Sequence, residues 1–246
     1  MANHFEDTIR KYRSGFSQVV PFDPAVDKLF TFDFTSANHT LRPEQIADTE
    51  HFAQYINEQL RSQHCKYGIG GYAEHRTLYA RSSHFDSPAQ KLGTALSPNE
   101  PRRLHLGIDI WGPAGTKVMA PLDGIVHSFA FNNNESDYGA TIILSHNLDG
   151  AGFHTLYGHL SLNSLKNLHE GQRIRRAEVI SEFGMRFENG NWPPHLHFQV
   201  ILDIEGWNGD YPGVCRYSEK EQWLSNCPDP DLILQMINPG IAVSGT

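Results

Sequence analysis

The segment Pro193-Pro194-His195-Leu196-His197-Phe198-Gln199-Val200 constrains this chain more than any other stretch of it. Phe198, Val200 and Ile201 favour a strand. Successive strand side chains point to opposite faces, so residues two apart share one. His195 and His197 then stand side by side, about 7 Å apart along the strand. One imidazole of such a pair can bind a metal while the other handles a proton. In a chain with 14 histidines the same pair also reads as part of an ordinary structural wall.

Two further elements bear on that choice. Leu104-His105-Leu106-Gly107-Ile108-Asp109-Ile110-Trp111 places His105 and Asp109 four apart, a spacing that shares a face on a strand as well as on a helix. Gly107, Ile108 and Ile110 favour the strand. An imidazole, a carboxylate and a second imidazole are ligand types that zinc accepts at about 2.0–2.2 Å, and three protein ligands leave one position open. A closed structural site would normally use four ligands, often cysteines, and the chain has three Cys in all. The alternative is an Asp that hydrogen-bonds a nearby histidine in a barrel wall. The third element, Thr155-Leu156-Tyr157-Gly158-His159-Leu160-Ser161, puts His159 at the end of an apolar segment, where a half-exposed imidazole is expected to titrate freely.

In this order, His-x-x-x-Asp, Tyr-x-His-Leu and His-x-His-Phe resemble the M23 family of zinc metallopeptidases, the lysostaphin and LytM-like endopeptidases. The stretches 115–126, 171–174 and 179–184 fit the same pattern, so the resemblance spans roughly residues 100–204. It implies a mainly β catalytic domain, an antiparallel sandwich of the duplicated hybrid motif kind. It also implies one Zn²⁺ held by His105, Asp109 and His197, with His159 and His195 as the catalytic pair. The implied substrate is a peptide, in peptidoglycan cross-links or of similar short, small-residue type, cut in an open groove. Two departures stand out: Gln199 where many members carry Glu, and Trp192-Pro193-Pro194 where small residues are usual. The second is expected to reshape a groove wall and hence substrate preference.

The chemistry is coherent without the family. Zinc polarises a carbonyl and brings the pKa of water towards about 7. Hydrolysis still needs a proton acceptor and a group that stabilises the oxyanion. The His-Glu-x-x-His motif that often supplies the base is absent; Leu168-His169-Glu170-Gly171 lacks the second histidine. The two spare imidazoles are the natural candidates, one as base and one as oxyanion stabiliser. A biotinyl- or lipoyl-carrier reading of 115–126 and 171–184 fails because Lys117 sits inside a strand pattern, with no hairpin tip to present it. The rival from another class is a catalytically silent M23-like module that binds wall peptides or regulates another hydrolase; such modules typically lose ligands, whereas all five positions are filled here.

Composition narrows the partners. The net charge is −8 with no Lys/Arg run, which argues against nucleic acid. No apolar stretch approaches the 18 or so residues a membrane helix needs. The start lacks the apolar core of a signal peptide, which reads as cytoplasmic, while the family's usual substrates lie outside; leaderless export or a missing leader would reconcile the two. Oligomeric state is not legible. Cys215 and Cys227 could pair across a loop, and three cysteines also suit a reducing compartment.

Three regions follow: an α+β N-terminal extension (1–97), the peptidase-like core (98–206) and a loop-rich C-terminal segment (207–246), with the best boundary in the turn-rich stretch 91–101. In the first, Thr40 is placed to cap a helix over 41–63, 29–34 alternates like a strand, and 72–79 is a second strand candidate. This extension would either occlude the groove as a latency segment or cover an exposed sheet edge. In the last, Trp207, Tyr211, Tyr217 and Trp223 are candidates to line a groove or to pack beneath a loop, ahead of a short helix near 231–237. His127, His146 and His154 read as structural, and His4, His39, His51, His64, His75, His84 and His169 have no ligand-like partners at useful spacing.

Overall fold

Apolar residues alternating with polar ones from 104 onward build a chain dominated by strands. The computed structural model describes residues 2–86 and 100–237. Helix α1 (Ala2–Tyr12) is followed by β1 (Leu29–Phe32), α2 (Pro43–Ala47), α3 (Thr49–Ser62) and β2 (Tyr67–Gly70). Then come β3 (Leu104–His105), β4 (Ile108–Trp111), β5 (Lys117–Met119), β6 (Gly124–Asn132), β7 (Gly139–Leu148) and β8 (Ala151–Leu160). The chain continues through β9 (Arg173–Ile174), β10 (Val179–Glu182), β11 (His195–Ile201), β12 (Val214–Cys215), α4 (Lys220–Asn226) and α5 (Asp231–Leu234).

One eight-stranded sheet has the order β1-β2-β4-β11-β8-β7-β6-β9, antiparallel throughout except for the parallel pair β1·β2. Two small antiparallel pairs, β5·β10 and β3·β12, complete the β structure. The fold is thus mainly β and mostly antiparallel. Among the described residues no helix is long and apolar enough to cross a membrane.

Strand β11 shows how the sequence positions the site. Its seven residues are all buried. Leu196, Phe198 and Val200 join the principal core with Ile108 and Ile110 of β4 and Tyr157 of β8. His195, His197 and Gln199 alternate with them and therefore face the other way. The core thus fixes the plane of the strand, and the histidines inherit their direction from it.

Several expectations for the N-terminal part are corrected. The helix expected over 41–63 is two helices, because Asp48 leaves the helical region at φ −108° and restarts the chain by accepting from the His51 N–H. Thr40 caps neither; it closes a local turn around Asn38. The second strand runs over Tyr67–Gly70 and not 72–79, where a 3₁₀ turn, Thr77–Arg81, is found instead. Most of the boundary stretch 91–101 lies outside the described residues. Cys215 and Cys227 are free thiols, both buried.

Candidate metal centre

Two neighbouring strands and one short strand bring three ligand-type side chains to one point. His197 of β11 lies directly opposite Asp109 of β4 in the antiparallel register, and His195 lies opposite Trp111. Directly opposed side chains on one face are near neighbours. His105 was expected on the same strand as Asp109, but it belongs to β3, which pairs with β12. The chain turns at Leu106-Gly107 between the two. Gly107 makes the approach feasible: a Cβ there would come within 2.6 Å of the His197 ring and 2.8 Å of the Phe198 carbonyl oxygen.

His105, Asp109 and His197 are all buried, with ligand atoms close enough to share one ion. His105 Nε2 is 3.0 Å from His197 Nδ1 and 3.3 Å from Asp109 Oδ1, and His197 Nδ1 is 3.1 Å from that oxygen. Four-coordinate zinc with bonds of about 2.0–2.1 Å separates its ligand atoms by about 3.3–3.4 Å, so the triangle is the right size.

Proton placement sharpens the fit. His105 Nδ1 lies 3.0 Å from the Gly71 carbonyl oxygen and must donate to it, leaving a lone pair on Nε2. His197 Nε2 lies 2.9 Å from Gln199 Oε1. The Gln199 amide nitrogen donates to the Pro212 carbonyl and to Cys227 Sγ, so its oxygen is an acceptor and His197 Nε2 carries the proton. In these tautomers two imidazole lone pairs and a carboxylate oxygen face one another. That arrangement is repulsive unless a cation lies among them, and the residues fit a zinc-type ion.

His159 and His195 stand beside this triangle, their rings 4.1 Å apart. His159 stands at the end of β8, as expected, but it is 6% exposed and not half-exposed. Between the pairs Ala140↔Leu160 and Ile142↔Tyr157, β7 advances two residues and β8 three. The extra residue is a bulge that puts His159 at φ +62° and re-aims its side chain. His159 Nδ1 meets the Asn189 carbonyl at 2.8 Å, and His195 Nδ1 meets the Pro193 carbonyl at 2.8 Å. Both rings thereby keep their second nitrogen free of protons. The His195 ring stacks on Trp111, with centroids 3.9 Å apart and planes 14° from parallel.

Burial dominates the electrostatics. It lowers the imidazole pKa of His105 to about 4, helped by the Arg76 charge and opposed by Asp109. It lowers His195 to about 4, with Asp109 and the Pro193 carbonyl opposing. His159 is held well below its ordinary value by burial, with His195 and His197 adding to the effect. Burial pushes the Asp109 carboxyl up, yet His105 and Arg76 overcome this and hold it well below the carboxylate range. At neutral pH His105, His159 and His195 are therefore neutral and Asp109 is ionised.

Asp109, His159, His195 and His197 open on a cleft of about 460 Å³, which His105 does not line. Each of the five site residues is at most 6% exposed. Tyr79 and Phe85 wall the cleft from the N-terminal part, and Trp192 from the segment before β11. Trp207 and Tyr211 also line it; Trp223 packs in the same core cluster as these two but does not line the cleft, and Tyr217 is exposed. His127 and His154 pack edge to face, and His146 bonds the Asp123 carbonyl and the Thr155 hydroxyl.

Sequence reasoning missed several contributors. Arg76 donates to Asp109 Oδ2, Tyr138 reaches within 3.4 Å of His197 Nε2, and Gly71 supplies the carbonyl that orients His105. None sits in a motif. Gln199 was visible as a departure from the family pattern, and its position two residues from His197 on one strand face was the signal available.

Residues 103–209 match Peptidase family M23. The DD-carboxypeptidase/endopeptidase Mpg of Neisseria meningitidis serogroup B is 37% identical over 101 residues, 41% of this chain and 21% of that protein. An uncharacterized metalloprotease of Haemophilus influenzae is 31% identical over 125 residues, 47% of this chain and 24% of that protein. The chain thus spans about a fifth to a quarter of the length of these curated relatives. Among solved structures, the catalytic domain of lysostaphin from Staphylococcus simulans aligns with 70% of this chain and 96% of its own, at 21% identity and a TM-score of 0.38. The family match and the identities to these relatives make residues 103–209 of this chain similar to peptidase family M23.

Proposed function

We propose that this protein is a zinc metalloendopeptidase in which His105 Nε2, Asp109 Oδ1 and His197 Nδ1 hold one Zn²⁺, and His159 and His195 act on the substrate. The observation that carries the reading is the meeting of three buried ligand-type atoms 3.0–3.3 Å apart. Zinc bound there supplies Lewis acidity towards a scissile carbonyl and acidifies water at the same point.

The remaining work falls to the chain. Neutral His159 and His195 each offer a lone pair on Nε2, since Nδ1 is committed to a backbone carbonyl. One takes a proton from the attacking water. That same proton, held on the imidazolium so formed, is delivered to the leaving amine, and the second ring can donate to the developing oxyanion only after receiving it across the ring pair, whose centroids lie 4.1 Å apart. Trp111 and the fixed carbonyls hold the rings in place, so little reorganisation accompanies the proton transfers. Tyr79, Phe85 and Trp192 exclude water around the reacting centre and select a slender peptide backbone. The name of the Neisseria relative points to peptide substrates of the peptidoglycan type.

The test is metal analysis of the purified chain beside His105→Ala, with digestion of cell-wall material and a peptide panel followed by mass spectrometry. Stoichiometric zinc that is lost in His105→Ala, and products that vanish in His159→Ala, are expected. A metal-free native protein defeats the proposal, as do identical product profiles for the native chain and His159→Ala.

A further inference from the structure

Asp109 has two carboxylate oxygens, and the fold commits them differently. Oδ1 faces His105 and His197. Oδ2 receives a short hydrogen bond from Arg76 Nη1. Arg76 is 1% exposed. The rest of its guanidinium is committed too: Nε donates to Glu74 Oε2 at 2.6 Å, Nη1 also reaches the Tyr79 hydroxyl at 3.3 Å, and Nη2 reaches the Gly71 carbonyl at 3.4 Å. The plane of the group is therefore fixed on several sides.

The backbone around Arg76 is tied to the chain that carries the first donor. Ala73 N–H donates to the His105 carbonyl at 3.0 Å, His105 N–H to the Glu74 carbonyl at 2.9 Å, and Arg76 N–H to the Arg103 carbonyl at 2.8 Å. Residues 73–76 thus run alongside β3 as an unregistered neighbour, joined by the bridge His75↔Leu104. Space is provided as well, because a Cβ at Gly70 would come within 2.7 Å of Arg76 Nη2. Gly71, Glu74, Arg76 and Tyr79 all lie before the stretch that matches the family.

We propose that Arg76 is a positioning residue for the metal centre: it holds Asp109 Oδ2 so that the carboxylate presents a single oxygen to the ion. The inference rests on the zinc reading above. A carboxylate free to turn can offer both oxygens to a cation, which would fill the position a catalytic site keeps open. A charge-assisted bond to a planar guanidinium whose three nitrogens all donate hydrogen bonds prevents that turn. Glu74 balances the Arg76 charge, so Asp109 keeps its own charge for the metal. Residues 71–79 are on this account part of the centre and not merely packed against it.

An ion pair that only fastens 71–81 to the sheet predicts something different, and the two can be separated on the full chain. Arg76→Met, Arg76→Lys and Glu74→Gln are compared with the native protein in four measurements. These are zinc affinity by chelator competition, the visible absorption of the Co²⁺-loaded form, kcat and KM on a cleaved peptide, and thermal unfolding of the metal-free chain. Zinc affinity in Arg76→Met is expected to fall ~10–100-fold, the range for partners that orient metal ligands. The cobalt bands are expected to weaken as a fifth ligand atom joins, and kcat to fall more than KM rises.

Arg76→Lys keeps the charge without the fork, so it should recover part of the affinity and not the native cobalt spectrum. Glu74→Gln, which touches Arg76 but not Asp109, should shift affinity in the same direction by less. If Arg76→Met does not fold, the other two variants decide. Native zinc affinity with an unchanged cobalt spectrum in the variants that fold, whatever their melting temperatures, overturns the inference and leaves the zinc reading standing. A native chain that takes up no zinc overturns both.

Discussion

Gln199 illustrates how one side chain beyond the proposed ligand set governs another. Its amide nitrogen is held by the Pro212 carbonyl and Cys227 Sγ, which turns its oxygen towards His197 Nε2 at 2.9 Å. The proton on His197 is thereby kept on the nitrogen remote from Asp109. Gln199→Leu keeps the volume and removes the acceptor, so zinc affinity should fall by about tenfold or more, measured by chelator competition. Gln199→Glu keeps an acceptor in the same place and should restore it. Equal affinity in the native and Gln199→Leu proteins would show that the tautomer is set elsewhere. The five polar positions were legible because each sits in a short motif whose strand period fixes its face. Arg76 was not, since nothing within 71–86 marks an arginine that reaches Asp109 across 33 residues.

Among the elements, β8 carries the least expected device. His159 is a non-glycine residue in the left-handed region, held by its N–H on the Tyr138 carbonyl at 2.8 Å and by Gly184 N–H on its own carbonyl at 2.9 Å. That conformation costs roughly 1–2 kcal/mol for a residue with a Cβ. His159→Gly should therefore unfold at a higher denaturant concentration than His159→Ala, by about 1 kcal/mol, although both lack the imidazole. Equal stabilities would mean that the bulge carries no strain. A periodicity argument sees β8 as an apolar run and is blind to the added residue. The β2 assignment failed for a related reason. Tyr67-Gly68-Ile69-Gly70 is poor in strand formers, yet Gly68 lies so close to the Phe32 ring that a Cβ would fall 2.1 Å from it. Packing, not propensity, selects that strand. The split of the 41–63 helix at Asp48 was recoverable, since Asp is a preferred cap.

For the molecule as a whole, buried neutral histidines set the response to acid. His146 is 5% exposed, and burial takes its pKa down to about 4 against the pull of the Asp123 carbonyl. In the unfolded chain it binds a proton near pH 6.5, so below that value the unfolded state holds more protons than the folded one. Stability from this group is complete above pH 6.5 and is lost as pH falls towards 4, by on the order of 3 kcal/mol. Denaturant unfolding of the metal-free protein should weaken over that window, and His146→Gln should show a shallower fall. A pH-independent midpoint would rule the group out.

The sheet order has a practical consequence for anyone trimming this chain. Strand β4 is flanked on one side by β11 and on the other by β2, which comes from well before the stretch that matches the family. A fragment cut to 103–209 would lay bare the backbone amides and carbonyls along Ile108–Trp111, next to buried isoleucines. Such a raw border recruits whatever strand comes near, including that of a sister molecule. The minimal piece should therefore clump where the longer one stays dispersed.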